Sequence, residues 1–217
     1  MQDDRLQLHY DARDRHVRNL GTPDPDLLAP LLNPGLTGGP RWPGLRESWR
    51  RVRRGPCTLV ISDGLSDPYD DDDTPNVGLG VEVLVATPDP VPDPVQASWL
   101  FTLAYDVSQQ AADSGAFREL RDDLGLFSME LYADEAFGPA VTEGGRVGVL
   151  FGLEAPGLTL DWQLPAGLVR VVTAKLLFPS ELQLVVTDGA AGRERLQRLF
   201  IDQGTHHLSS LVRAPVA

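Results

Sequence analysis

The chain is poor in several things that would narrow its function. It has one cysteine, Cys57, so no internal disulfide can form, and no Cys/His pair has the spacing of a zinc site. Its histidines are few, and His9, His16, His206 and His207 all lie near the ends, so pairing one with Ser66 would require an end of the chain to fold over the middle. The adjacent pair His206-His207 would project to opposite faces of a strand and make poor joint ligands. Positive charge is also scarce, with 19 Lys and Arg against 31 Asp and Glu and a formal net charge of −12. Such a chain repels phosphate backbones and anionic membranes at long range, which argues against nucleic acid as a partner. No apolar run approaches the roughly 18 residues of a membrane span. The opening MQDDRLQLHYDARDRH has no signal-peptide core, so a cytoplasmic protein is expected. Ser66 is not the centre of a G-x-S-x-G elbow, and Gly78-Leu79-Gly80 opens a strand rather than a helix, so it forms no phosphate cradle.

What is present suits a folded domain. The 217 residues are 42% hydrophobic, enough for a sizeable core without staples. Residues 1–40 carry Pro23, Pro25, Pro30, Pro34, Gly38, Gly39 and Pro40 and read as an extended N-terminal arm, with Leu27, Leu28, Leu31 and Leu32 as one docked helical turn. The remaining residues, 41–217, read as one domain. In RWPGLRESWRRVRR, Trp42, Leu45, Trp49 and Val52 recur at helical spacing. The opposite side of that helix, with Arg46, Arg50, Arg51, Arg53 and Arg54, would balance local carboxylates, contact an acidic partner, or leave the tryptophans free for self-association.

Strands dominate beyond that point. Cys57 to Ile61 and Gly78 to Ala86 are apolar runs of strand length, as are Leu126 to Leu131, Arg146 to Leu153, Leu158 to Leu164 and Leu168 to Leu177. Residues 95–112 predict a helix with Trp99, Leu100, Leu103, Ala104 and Val107 on one face, followed by a shorter one at Gly115 to Leu124 and a last one at Arg193 to Gln203. Residues 181–188 fit a helix or a strand. The order lacks regular β–α alternation, so the fold class expected is α+β, a mixed and largely antiparallel sheet with packed helices.

The stretch VISDGLSDPYDDDD places Asp63, Asp67 and the run Asp70 to Asp73 after a strand. Carboxylates are ligands for hard divalent cations, but the spacing is not that of a calcium loop, and four adjacent Asp point in different directions. The segment SDGLSD resembles one element of the metal-dependent protein phosphatases, in which the Asp before Gly is a ligand. The partner elements of that two-metal site, D-G-x-G-G-H and D-N-x-[ST], are missing, and metal-assisted hydrolysis needs several converging ligands. A metal-dependent hydrolase centred on Asp63 and Asp67 is the alternative reading. The structural one has Gly64 at positive φ, Asp67 bonded to backbone donors of the turn, Pro68 stopping the strand, Gly78 and Gly80 admitting a neighbouring backbone, and Glu82 paired with Arg53 or Arg54.

A longer resemblance spans both strands. The strand Thr58 to Ser62, then Gly64-Leu65-Ser66-Asp67, Tyr69, an acidic loop, and Gly78-x-Gly80-x-Glu82 entering the next strand is similar to the suppressor-of-fused family. There a strand runs into G-L-S-D and a short loop leads to G-x-G-x-E-[LV]. Asp63, Leu79 and Val81 stand where animal members have aromatics. The resemblance implies a non-catalytic protein-binding module with no cofactor, its family motif being Gly64, Leu65, Ser66, Asp67, Tyr69, Gly78, Gly80 and Glu82. Animal members hold a transcription-factor segment by strand addition between two domains, a site this chain is too short to complete. Stand-alone bacterial members carry a proposed role as immunity proteins that neutralise toxins, and an acidic chain suits a basic toxin as partner. The oligomeric state is not readable from the sequence.

Overall fold

The computed structural model describes residues 2–69, 71 and 74–217. Its elements are α1 (Gln2–Leu20), β1 (Thr22–Pro23), β2 (Trp49–Arg54), β3 (Cys57–Ser62), β4 (Val81–Thr87), α2 (Trp99–Ser114), α3 (Phe117–Leu124), β5 (Phe127–Tyr132), β6 (Arg146–Phe151), β7 (Asp161–Leu164), β8 (Gly167–Leu177) and α4 (Pro179–Asp202). The strands form one sheet in the order β1-β2-β3-β4-β8-β6-β5, with β7 paired to β8. Every pairing is antiparallel except β4 with β8. This is the α+β arrangement that the pattern of elements predicts.

The sheet is covered on both sides, which explains why all of β4 is buried. Side chains alternate across a strand. Val81, Val83 and Val85 pack with Leu100, Leu103, Ala104 and Val107 of α2. Leu84 and Ala86 face the other way, into a cluster with Ala12, Val17 and Leu20 of α1 and with Trp162. Glu82 shares that second face. α4 continues the layer of α1 along the sheet, where Leu182, Val185, Leu196 and Phe200 cover Leu150 and Leu177.

The long β8 joins the two ends of the sheet. Its residues 170–173 lie beside β4, and residues 174–177 lie beside β6. Past Leu84 and Thr173 the strands β4 and β8 part, and the segment at Leu208 and Ser209 fills the gap. Ser209 donates its N–H to Ala86 O (2.8 Å) and accepts from Leu176 N (2.9 Å) at its hydroxyl. Buried Lys175 donates to Leu208 O. Burial, with the Arg213 charge beside it, pushes that ammonium down to about 7.

Three expectations are corrected. Residues 2–20 are not an extended arm but a 19-residue helix. They contain neither Pro nor Gly, and the chain breakers begin only at Gly21. The Leu turn is absent: Leu28 is tied to Trp49 as a β-bridge, while Leu27, Leu31 and Leu32 are exposed. The helix expected over 41–54 is an irregular segment followed by β2, because Pro43 and Gly44 interrupt it and Arg50 to Arg54 zip onto β3. Trp42 and Trp49 are fully buried on α2, donating to Gln109 Oε1 (3.4 Å) and Ser108 Oγ (3.1 Å), so neither is available for self-association. The ambiguous residues 181–188 are helical and belong to α4, which kinks at Gly189 (φ 57°).

Trp49→Ala removes an aromatic that contacts Trp42, Phe101 and Tyr105. It is expected to cost about 3–5 kcal/mol in urea unfolding. Sedimentation should show no change in oligomeric state, since the side chain is internal.

Candidate functional site

The loop between β3 and β4 folds back on itself. Leu79 N–H donates to Leu65 O (3.0 Å), Gly80 N–H to Val77 O (2.7 Å), and Asn76 Oδ1 accepts from the N–H groups of Tyr69 and Gly78. Its glycines are set by close approach. A Cβ on Gly64 would overlap Arg46 O and press on the Trp42 ring, and one on Gly78 would overlap Asp67 O. Gly78 and Gly80 also have positive φ (52° and 65°), whereas Gly64, expected there, does not.

This folding points three carboxylates inward, and the structure supplies three guanidinium groups to meet them. Arg13, on the buried face of α1 and only 2% exposed, donates Nε to Asp63 (2.7 Å) and Nη1 to Asp67 (2.5 Å), and lies 3.6 Å from Glu82. Arg46 reaches Asp67 (3.1 Å) and Asp63 (3.2 Å), and Arg50 reaches Asp63 (2.7 Å). Tyr10 stacks beneath the guanidinium groups of Arg46 and Arg13. Glu82 is completely buried and accepts from Ser66 Oγ (2.6 Å), Ser66 N (3.0 Å), Gly64 N (3.2 Å) and the Ser62 hydroxyl. Arg53 and Arg54, expected to pair with Glu82, instead bind Asp24 and the carbonyls of Leu20 and Gly157. Asp67 likewise uses its carboxylate on arginines rather than on backbone donors of the turn.

The electrostatics follow from burial. Burial works against the Arg13 charge, but Asp63, Asp67 and Glu82 more than offset it and hold the guanidinium above its ordinary value. Burial pushes Asp67 up to about 6 against the pull of Arg13. It pushes Glu82 up to about 7 against Arg13, Ser62 and Ser66. His9, one turn before Arg13, is buried with neither ring nitrogen hydrogen-bonded among the described residues, and burial together with Arg13 pushes it down.

Both oxygens of Asp63 and of Asp67 are therefore taken by arginine donors. A divalent cation between them would have to displace guanidinium groups from three separate segments, so this geometry does not favour the hydrolase reading. Leu65, Ser66, Asp67 and Glu82 of the family motif are buried, while Tyr69 is 38% exposed. Of the acidic run, Asp71 is exposed, and Asp70, Asp72 and Asp73 lie outside the described residues. The sequence reading missed Arg13, because a buried arginine on a polar helix carries no periodic signal. The one clue was Glu82, a carboxylate inside an apolar strand and in need of a partner.

A solved structure now bears on the architecture. A chain of "the Sufu-Fu complex crystal structure" matches with a TM-score of 0.60 at 17% identity, over 98% of this chain and 92% of that one. The fold is Sufu-like. No protein-family model matches the sequence, and no curated protein matches it. At this identity the likeness speaks for the Sufu-like fold alone.

Removing one member of a buried ionic cluster leaves the others uncompensated. Arg13→Met is expected to cost about 3–5 kcal/mol in denaturant unfolding, more than Arg50→Ala, whose own side chain is 20% exposed against 2% for Arg13. A second expectation concerns pH. The folded value of Glu82 lies above its ordinary one, so between about 4.5 and 7 the native state holds a proton the unfolded chain has released. Its contribution to stability is present below that window and lost as the pH rises through it. His9 acts in the opposite sense, so the diagnostic is the difference between proteins. Asp67, also raised, to about 6, adds a decline of the same sign in both proteins, so the unfolding free energy of Glu82→Gln should fall less steeply than the parent's across the window, and parallel pH profiles for variant and parent would contradict the assignment.

Proposed function

We propose that this chain is a non-catalytic protein-binding module of the suppressor-of-fused type. The observation that carries the proposal is the closed ionic cluster: Asp63 and Asp67, the residues a hydrolase would need, are consumed in holding α1, the segment at Arg46, and β2 against the motif loop. Support also comes from a Sufu-like fold over nearly the whole chain, shared with a protein crystallised in a complex with Fu. The motif then acts indirectly. Gly64 to Asp67 and Gly78 to Glu82 set the shape of the loop, and Tyr69 with the acidic run that follows it presents the contact surface. The partner is a basic protein, for which the net charge of −12 favours encounter, and neutralisation of a basic toxin is the use that fits a small acidic module.

The test is to recover a bound protein from the source cell on the immobilised chain and titrate it against parent and a variant with Asp70 to Asp73 all changed to Asn. A basic partner is expected, with an association rate that falls steeply with ionic strength and drops in the variant. Saturable divalent-metal binding by the chelator-stripped protein, abolished by Asp63→Asn and accompanied by phosphoester hydrolysis, would sink the proposal in favour of the hydrolase.

A further inference from the structure

A second surface has the opposite electrostatic character. A groove of about 510 Å³ lies between the C-terminal end of α3, the end of β6 and the part of α4 that follows its kink, and Arg121, Arg193 and Arg198 line it. Its size is that of a ligand cleft. Arginines elsewhere are mostly spent on internal carboxylates, as in the clusters around Asp63, Asp24, Asp122 and Glu181. Among the described residues, Arg193 and Arg198 have no carboxylate partner, and Arg121 donates only to the carbonyl of Gly125 at its own helix end (3.1 Å). Outside the groove, only Arg15, Arg41, Arg54, Arg146 and Arg195 share that condition among the described side chains; Arg54 is held by the carbonyls of Leu20 and Gly157, and Arg146 covers the Tyr132 ring.

The floor is apolar and low. Leu124 is 55% exposed and Leu126 half-buried, and Gly152 (φ 85°) lies so close to the Gly125 carbonyl that a Cβ would overlap it. Glu154 and Glu194 flank the arginines, leaving three positive against two negative groups at the groove. The rest of the chain's negative charge does not decide the outcome. At physiological ionic strength charges beyond about 8 Å are largely screened, so a bound group responds chiefly to the arginines it touches.

We infer that this groove is a docking site for an acidic peptide segment of a protein partner, its carboxylates taken by Arg121, Arg193 and Arg198 and an apolar side chain set on Leu124 and Leu126. Guanidinium groups bind carboxylates through paired, charge-assisted hydrogen bonds, which an amine-bearing or neutral segment cannot reproduce. The site shares no residue with the motif loop, so it stands or falls separately from the acidic contact surface proposed above.

The probe is a short fluorescein-labelled peptide of Asp, Glu and Leu, followed by anisotropy, with the same peptide in Asn, Gln and Leu as its neutral control. Saturable binding of the acidic probe is expected, weakened at least about tenfold by Arg193→Ala with Arg198→Ala. Arg15→Ala should leave it unchanged, and circular dichroism should show each variant folded. The inference is overturned by absence of saturable binding, by equal binding of the neutral peptide, or by insensitivity to the paired substitution. Full competition by inorganic phosphate at low millimolar concentration would also overturn it, by making the groove a general anion site.

Discussion

The need to neutralise charge that has been taken out of water organises this protein. Three carboxylates from one loop and the strand after it are turned into the sheet's covered face. Each would be costly there alone. Arg13, Arg46 and Arg50 come from a helix, an irregular segment and a strand, and meeting the carboxylates fixes where all three segments lie. Position, more than net stabilisation, is what such a cluster supplies, since a well-packed apolar replacement is often as stable. The specificity lies in matching three carboxyl groups with three guanidinium groups from separate segments.

That constraint explains the sequence around it. Gly64 is glycine because the Arg46 backbone passes over it, and Gly78 because the Asp67 carbonyl does. Ser62 and Ser66 are hydroxyls because Glu82 requires donors of that length. Most of the motif is therefore sealed from solvent, which is why the surfaces proposed for partners lie outside its buried part.

Legibility in the sequence followed the strength of local periodicity. Leu168 to Leu177, Arg146 to Leu153 and the Trp99 face were readable because long apolar runs and a clean helical stripe leave few alternatives. β2 was misread because Trp42, Leu45, Trp49 and Val52 fall at helical intervals by coincidence, and only pairing with β3 settles the matter. α1 was hidden because its buried face carries His9 and Arg13 where an amphipathic helix would carry apolar residues. The carboxylates of the site stood out; their partners did not, because the pairing joins segments remote in the chain and no local pattern reports it.

The double role of β8 has a consequence for how the domain comes apart. One strand carries the pairing for both ends of the sheet, and the place where β4 leaves it is plugged by Ser209 rather than left open. Among the described strands, β8 ties both halves of the sheet together. Amide protection should accordingly be shared across β3, β4, β6 and β8 as a single cooperative unit, with slow exchange that reports global rather than local opening.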